Sequence, residues 1–294
     1  MLGTHLGQVV AVFGRRYDVR TDEGENLDCV ARGKKHDAAC GDRVEVKSTG
    51  PRQAVIEKVL PRTTYLERAD AFKRKAIAAN ADQVLVLVAA DPWFSDEFVI
   101  RILLLTQAAD IPALIALNKI DLPGADEARA RLKVFESAGH EIVEISAKGN
   151  HAAGCSALVP KLAGRCTVLV GQSGMGKSSL VNALAPDAKA RMGELSTALG
   201  TGKHTTTFSR LYRIDADTTL IDCPGMQEVG IHNLTFKQLQ QGFNEFAPYL
   251  GHCRFSNCRH DREPECALRA ARDSGRIDKR RFDLFCTLRG EIGS

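Results

Sequence analysis

The sequence predicts a multidomain chain of three parts. An all-β barrel of oligonucleotide-binding (OB) type comes first, an α/β domain on a mostly parallel sheet follows, and a helical zinc-binding domain ends the chain. Three observations carry this. Short runs of alternating apolar and polar residues, separated by turn residues, fill roughly the first 60 positions. Strand and helix patterns then alternate up to about residue 230, the signature of a parallel sheet. A compact Cys/His cluster lies beyond, among polar helical segments. These changes place the boundaries at 1–62, 63–231 and 232–294.

In the first part, strands are predicted at 7–13 and 17–20, followed by a turn at Asp22-Glu23-Gly24, with a further strand over 41–46. Turn signals at this frequency favour a small closed barrel. Its basic residues Arg15, Arg16, Lys34 and Lys35 form either a nucleic-acid face or a solvated rim. In the second part the pattern predicts strands at 84–90, 113–118, 141–146, 166–170 and 219–221. Helices are expected over 98–109, 125–138, near 158–162, and over 177–184.

The 294 residues suffice for one large core or two to three small ones. Hydrophobic residues at 44% and charged residues at 26% are ordinary for a globular protein, and no apolar run approaches the roughly 20 residues that span a bilayer. No signal peptide is read at the N-terminus, so a cytoplasmic protein without membrane attachment is expected. The net charge of +4 is compatible with an RNA partner without demanding one. Nine cysteines, an odd number with three of them clustered, point to a reducing compartment and one metal site rather than disulfides. Nothing suggests a coiled coil or other assembly element, so a monomer is expected.

Two nucleotide-reading motifs stand out, and their order is inverted. Gly171-Gln172-Ser173-Gly174-Met175-Gly176-Lys177-Ser178, with Ser179 next, fits the phosphate loop G-x-x-x-x-G-K-[ST] between a predicted strand and helix. Its backbone N–H groups would cradle phosphates, Lys177 would pair with β/γ-phosphate oxygens, and Ser178 would ligate Mg²⁺. Asn118-Lys119-Ile120-Asp121, a guanine-reading pattern, comes about 50 residues earlier, and Ser146-Ala147-Lys148 follows the next strand. A G domain ordinarily opens on its phosphate loop. The middle part is therefore read as a circularly permuted P-loop G domain.

Asp121 would accept hydrogen bonds from guanine N1–H and its exocyclic amine. Adenine would leave a buried carboxylate unpaired there, a discrimination of roughly 10⁴ or more. This disfavours a P-loop ATPase or kinase and makes GTP and GDP the ligands.

Asp222-Cys223-Pro224-Gly225 fits the second-switch pattern D-x-x-G: Asp222 would hold Mg²⁺ through water, and the Gly225 N–H would sense the γ-phosphate. The first switch falls within 200–207, where either Thr205 or Thr206 would reach Mg²⁺. Met226 stands where Ras-like switches carry their water-orienting glutamine, so unaided turnover should fall below roughly 10⁻⁴ to 10⁻³ s⁻¹. His204 or a partner-supplied group would orient the water. An RNA-binding scaffold that holds GTP with little turnover is the alternative that Met226 supports.

Cys253, Cys258, His260 and Cys266 have the spacing C-x4-C-x-H-x5-C, that of a structural Cys₃His Zn²⁺ site with one ion per chain. Arg269, Arg272, Arg276, Lys279, Arg280 and Arg281 form either a solvated helix face or an rRNA contact. The remaining cysteines (Cys29, Cys40, Cys155, Cys166, Cys223, Cys286) are read as small buried hydrophobes.

With its motifs in this order and the Cys/His cluster behind them, nearly the whole chain resembles the bacterial ribosome small subunit-dependent GTPase A family. The stretch 73–82, with Ala78-Ala79-Asn80-Ala81-Asp82, is similar to the family's start of the G domain. The resemblance implies a GTP hydrolase that binds rRNA, is stimulated by the small ribosomal subunit and acts in that subunit's late maturation. The chain opens without a long basic arm. Because the second switch lies only about 28 residues before the cluster, loss of the γ-phosphate is expected to move the tail.

Overall fold

A computed structural model describes residues 3–32, 38–69, 74–148, 152–185, 208–224, 226 and 229–292. Five strands, β1 (Thr4–Phe13), β2 (Arg16–Thr21), β3 (Asn26–Ala31), β4 (Arg43–Gly50) and β5 (Gln53–Val59), close into the expected barrel in the order β1-β2-β3-β5-β4. Closure comes from antiparallel pairing of β1 with β4, and β3 runs parallel to β5. Alternation fills the interior: Val9, Tyr17, Val19, Cys29, Val44, Val46 and Ile56 are buried in a core of the barrel's own. The strands β3 and β5 escaped the sequence reading because their charged outward positions (Asp28, Glu57, Lys58) dilute the apolar signal.

The strand β1 also reaches beyond the barrel. Its first half pairs with β4, and its register on β2 slips between Val9 and Ala11, a bulge that bends the strand. Past that bend, Ala11 and Val12 pair with Arg210 and Ser209 of β12 (Ser209–Arg213). The barrel and the central domain therefore share one hydrogen-bonded sheet of 11 strands. The rings of Phe13 and Phe208 lie 4.3 Å apart beside the joint.

The central sheet continues as β10 (Glu141–Glu144), β9 (Ala113–Asn118), β8 (Gln83–Ala89), β11 (Cys166–Val170) and β13 (Thr219–Asp222), then β12. The first five are parallel, and only β12 runs antiparallel to its neighbour. The strand β8 is buried at every residue, as a parallel strand covered on both faces must be. Side chains pin β11 beside it: the Gln83 amide donates to Thr167 Oγ1 (2.9 Å), and Cys166 N–H donates to Asp82 (2.7 Å). Helices α1 (Asp96–Ala108), α2 (Ala125–Ser137), α3 (Val159–Leu162) and α4 (Lys177–Leu184) match the expected positions. The helix α1 begins two residues earlier than read, because Ser95 caps it by accepting from Phe98 N–H.

Between barrel and sheet runs a hairpin, β6 (Tyr65–Ala69) and β7 (Arg74–Ala79), that the strand–helix reading missed. The linker into it is fixed by the fully buried Asp42, which accepts from Arg62 (2.7 and 2.8 Å) and from Ala39 N–H (2.7 Å). Beside it Gly41, at φ +95°, lies so close to Ala79 that a Cβ would sit 2.2 Å from that carbonyl oxygen.

The tail comprises α5 (Phe236–Gln241), a turn of 3₁₀ helix (Asn244–Tyr249), α6 (Ala267–Asp273) and α7 (Lys279–Arg289). It has no apolar core of its own: Phe243, Phe246, Phe282 and Phe285 belong to the same cluster as the central sheet. Arg281 is neither a solvated nor an RNA-facing residue. It is 1% exposed, paired with Glu245 (2.6 Å), and set over the rings of Phe135 and Phe243 at 5.2 and 4.7 Å. Arg272 covers Phe282 at 4.9 Å, and Arg280 pairs with Asp96 on α1. Among the described residues no helix is long and apolar enough to cross a membrane.

Asp42→Ala would leave the Arg62 guanidinium and the Ala39 N–H without their buried acceptor. Urea unfolding should show a loss of about 3–5 kcal/mol, with little change in nucleotide affinity.

Candidate functional site

The phosphate loop, 171–178, leaves the C-terminal end of β11, and the base motif leaves the C-terminal end of β9, with β8 between them. That edge of an open parallel sheet is where ligands bind. The residues 118–121 and 146–148 converge with the loop on this edge through hydrogen bonds made by Asn118. Its amide donates to Met175 O (2.9 Å), and its carbonyl accepts from Ala147 N–H (3.0 Å). Asn118 is 1% exposed and so fixes phosphate loop and base loops to one another. The fit leaves no room beside it: a Cβ on Gly176, at φ +95°, would come 2.3 Å from Asn118 Nδ2. Lys119 adds a strap, donating to Asp91 O (2.6 Å) and Gly174 O (2.8 Å).

The helix α4 starts at Lys177, and no side chain caps it. Its first-turn N–H groups, including those of Ser178 and Ser179, thus form an anion-binding end. Lys177 is 8% exposed and donates to the loop carbonyls of Gly171 (2.8 Å) and Gln172 (3.0 Å). Burial pulls its pKa below the ordinary lysine value, which the nearby Asp222 charge opposes. Gln172 also accepts from Ser95 N–H (2.9 Å), bracing the loop against the start of α1. Asp222 ends β13, the strand beside β11, and is 3% exposed.

Asp121 is exposed, in contrast to the buried carboxylate expected. Its oxygens are held by the Ser146 hydroxyl (2.6 Å) and the Lys148 ammonium (3.2 Å). The Ser146 hydrogen bond, aided by Lys148, holds the carboxyl below its usual range, so it stays ionised and acceptor-only. Ile120 is half-buried against the core. His204, Thr205, Thr206 and Gly225 lie outside the described residues, as do Lys34 and Lys35. Met226 is buried, 6% exposed, and packs in the core rather than toward solvent.

In the tail, the ligand atoms of Cys253, Cys258, His260 and Cys266 all lie within 4.8 Å of one another. His260 Nδ1 is 3.5 Å from Cys253 Sγ, 3.5 Å from Cys258 Sγ and 3.3 Å from Cys266 Sγ, and Cys253 and Cys266 are 3.9 Å apart. A tetrahedral ion with bonds of about 2.0–2.3 Å separates its ligands by about 3.5–3.8 Å, so the cluster could hold a metal ion. Burial favours the neutral form of His260, the form that ligates. Burial also pushes the Cys258 thiol up to about 12, so a thiolate there needs the charge of a bound cation. His260 Nε2 lies 2.7 Å from the Gln240 side-chain amide. Ligation through Nδ1 makes Nε2–H a donor, and the amide turned with its oxygen inward accepts it. The spacing had not revealed Gln240, which comes from a separate helix.

The family model described as RsgA GTPase matches residues 59–232. A Nitrosospira multiformis protein named small ribosomal subunit biogenesis GTPase RsgA is 44% identical over 280 residues, covering 95% of this chain and 88% of its own. A Ralstonia pickettii protein of the same name is 46% identical over 291 residues, covering 97% and 92%. Among solved structures, YjeQ from Thermotoga maritima superposes with a TM-score of 0.71 at 30% identity, over 99% of both chains. YloQ, described as a circularly permuted GTPase, shares the fold with a TM-score of 0.68 at 23% identity, over 99% of this chain and 95% of its own.

Asn118→Ala removes two bonds worth about 1–1.5 kcal/mol each, which corresponds to roughly 30- to 150-fold weaker guanine-nucleotide binding. Titration with a fluorescent GDP analogue checks this; unchanged affinity would show that the two loops hold their places without it.

Proposed function

The chain belongs to the RsgA GTPase family of GTP-hydrolysing enzymes, and from that premise we propose that the small ribosomal subunit switches on its turnover during late maturation of that subunit. The names of the relatives support the ribosomal role, and the observation that carries the nucleotide site is the pair of hydrogen bonds of Asn118, which sets a guanine reader and a phosphate loop side by side. A triphosphate bound there would draw Lys177 from the carbonyls of Gly171 and Gln172 to the β/γ-phosphate oxygens. Ser178 would ligate Mg²⁺ directly, Asp222 through water, and Thr205 or Thr206 would complete the shell in the GTP state. Asp121 would read the guanine edge, and a backbone N–H of Ser146-Ala147-Lys148 would support the base at O6. The Gly225 N–H would sense the γ-phosphate.

With Met226 packed in the core, the water-orienting group comes from elsewhere. His204 is our choice within the chain, and a group supplied by the ribosome is the other source. Binding to rRNA, a monomeric state and a cytoplasmic location complete the proposal, with 1–62, 63–231 and 232–294 as its three units.

The metal we assign to Cys253, Cys258, His260 and Cys266 is Zn²⁺ in a structural role. Three soft thiolates with one imidazole suit that ion, and four protein ligands leave no open position. A strong chelator should release one zinc per chain, expose three thiols to a colorimetric reagent, and unfold the tail. Release without loss of helical signal would contradict the structural role.

The test of function is phosphate release from GTP at fixed salt, with and without purified small ribosomal subunits. Strong stimulation is expected, abolished by Lys177→Ala or Asp222→Ala. Slow turnover that subunits leave unchanged despite tight binding would favour a GTP-holding scaffold.

A further inference from the structure

The base loop 146–148 is held from two sides. On one, Ala147 N–H donates to Asn118 Oδ1 (3.0 Å). On the other lies a turn of 3₁₀ helix, Ala152–Cys155, which also packs against α4, the helix that follows the phosphate loop. Here two stretches of backbone touch. Ser146 N–H donates to Gly154 O (2.9 Å), and a Cβ on Gly154 would lie 1.8 Å from Ser146 O and 2.9 Å from Ser146 C. The three atoms nearest to it would all be backbone, so no side-chain rotation makes room. The turn has no space to retreat either. Cys155 and Leu158 are fully buried, and Leu158 N–H donates to Cys155 O (2.9 Å), which anchors the turn in a close-packed core.

We propose that Gly154 is a positioning residue for guanine selection: its missing side chain lets Ser146 stand where the Ser146 hydroxyl holds Asp121. The inference rests on the reading of this site as a guanine site. The Ser146 hydroxyl donates to Asp121 Oδ1 (2.6 Å), and the Lys148 ammonium pairs with Oδ2 (3.2 Å). Each carboxylate oxygen is thus aimed by one end of the base loop. A methyl group on Gly154 must push Ser146 away. Its neighbours Ile145 and Ala147 are buried, with their N–H groups bonded to Leu117 O (2.8 Å) and Asn118 Oδ1. The displacement therefore falls on Ser146, and its hydroxyl leaves Asp121. An exposed carboxylate without that partner samples other rotamers. Its two oxygens then no longer face the N1–H and the exocyclic amine of a guanine together. Gly154 acts on the base through Ser146 and Asp121.

The test uses the full-length protein, its Gly154→Ala, Ser146→Ala and Gly275→Ala variants, GDP and inosine diphosphate, which lacks only the exocyclic amine of the base. The wild type should bind GDP at least about 10-fold more tightly than inosine diphosphate, the scale of one hydrogen bond to a charged group. Gly154→Ala should bring the two affinities within about 3-fold of each other, chiefly by weakening GDP. Ser146→Ala should do the same with no change of backbone. Gly275, at φ +72° with open space around its Cβ position, supplies the control. Alanine there strains the tail and lowers the urea midpoint, but leaves the ratio of affinities as it was. If Gly154→Ala loses stability and keeps the wild-type ratio, the glycine serves packing alone and the proposal is overturned. A wild-type ratio in Ser146→Ala overturns it too, since the route through the hydroxyl would be closed. Should Gly154→Ala fail to fold, the Ser146 amide of the wild type decides. It should exchange at least about 10-fold more slowly than an unprotected amide; free exchange would show that the turn does not hold the loop. Equal binding of both nucleotides by the wild type would overturn the guanine reading itself, and this inference with it.

Discussion

The pairing of β11 between β8 and β13 is the constraint on which the rest of the molecule hangs. In a chain with this order of motifs, the strand that carries the phosphate loop enters the sheet late, between neighbours far apart in sequence. Only a fixed register brings that loop level with the base motif at the end of β9. The protein sets the register with side chains as well as the ladder: Gln83 holds Thr167, and Asp82 holds the first amide of β11. A slip of one residue would exchange the two buried faces of β11 and carry Met175 away from Asn118. The meeting of the two loops thus depends on hydrogen bonds at the opposite end of the strand.

What the sequence made legible was what is local in it. The segments 171–178 and 118–121 and the Cys/His cluster each occupy a few consecutive turns of chain, so spacing alone singles them out. The strand β8 was legible because burial on both faces leaves a run of apolar residues. The strands β3 and β5 were not, since only one face of each is apolar and their exposed positions carry charge. The hairpin β6–β7 was hidden because its buried residues are mostly alanines, which fit a helix as well as a strand.

Long-range electrostatics was illegible for a different reason. Arg281 and Arg280 are adjacent and look alike in sequence. One is enclosed by Phe135, Phe243 and Glu245, while the other is half-exposed beside Asp96. Nothing within a window of a few residues separates them, because the groups that decide their fates arrive from α1, α2 and the 3₁₀ turn. Asp42 is a similar case: its partner Arg62 lies 20 positions on, beyond any local window.

The joint between β1 and β12 also bears on the behaviour of the chain outside its functional cycle. An antiparallel strand at the end of a sheet offers unpaired N–H and C=O groups to any extended segment it meets, including the same strand of another molecule. Here the outer edge of β12 is taken by the barrel's first strand, and the barrel closes its remaining edges on itself. The small domain therefore covers the β12 flank of the large sheet, while β10 forms its other edge. A fragment cut free of its first 60 or so residues would lose that shelter. It would present the edge of β12 to other copies, an opening for self-association.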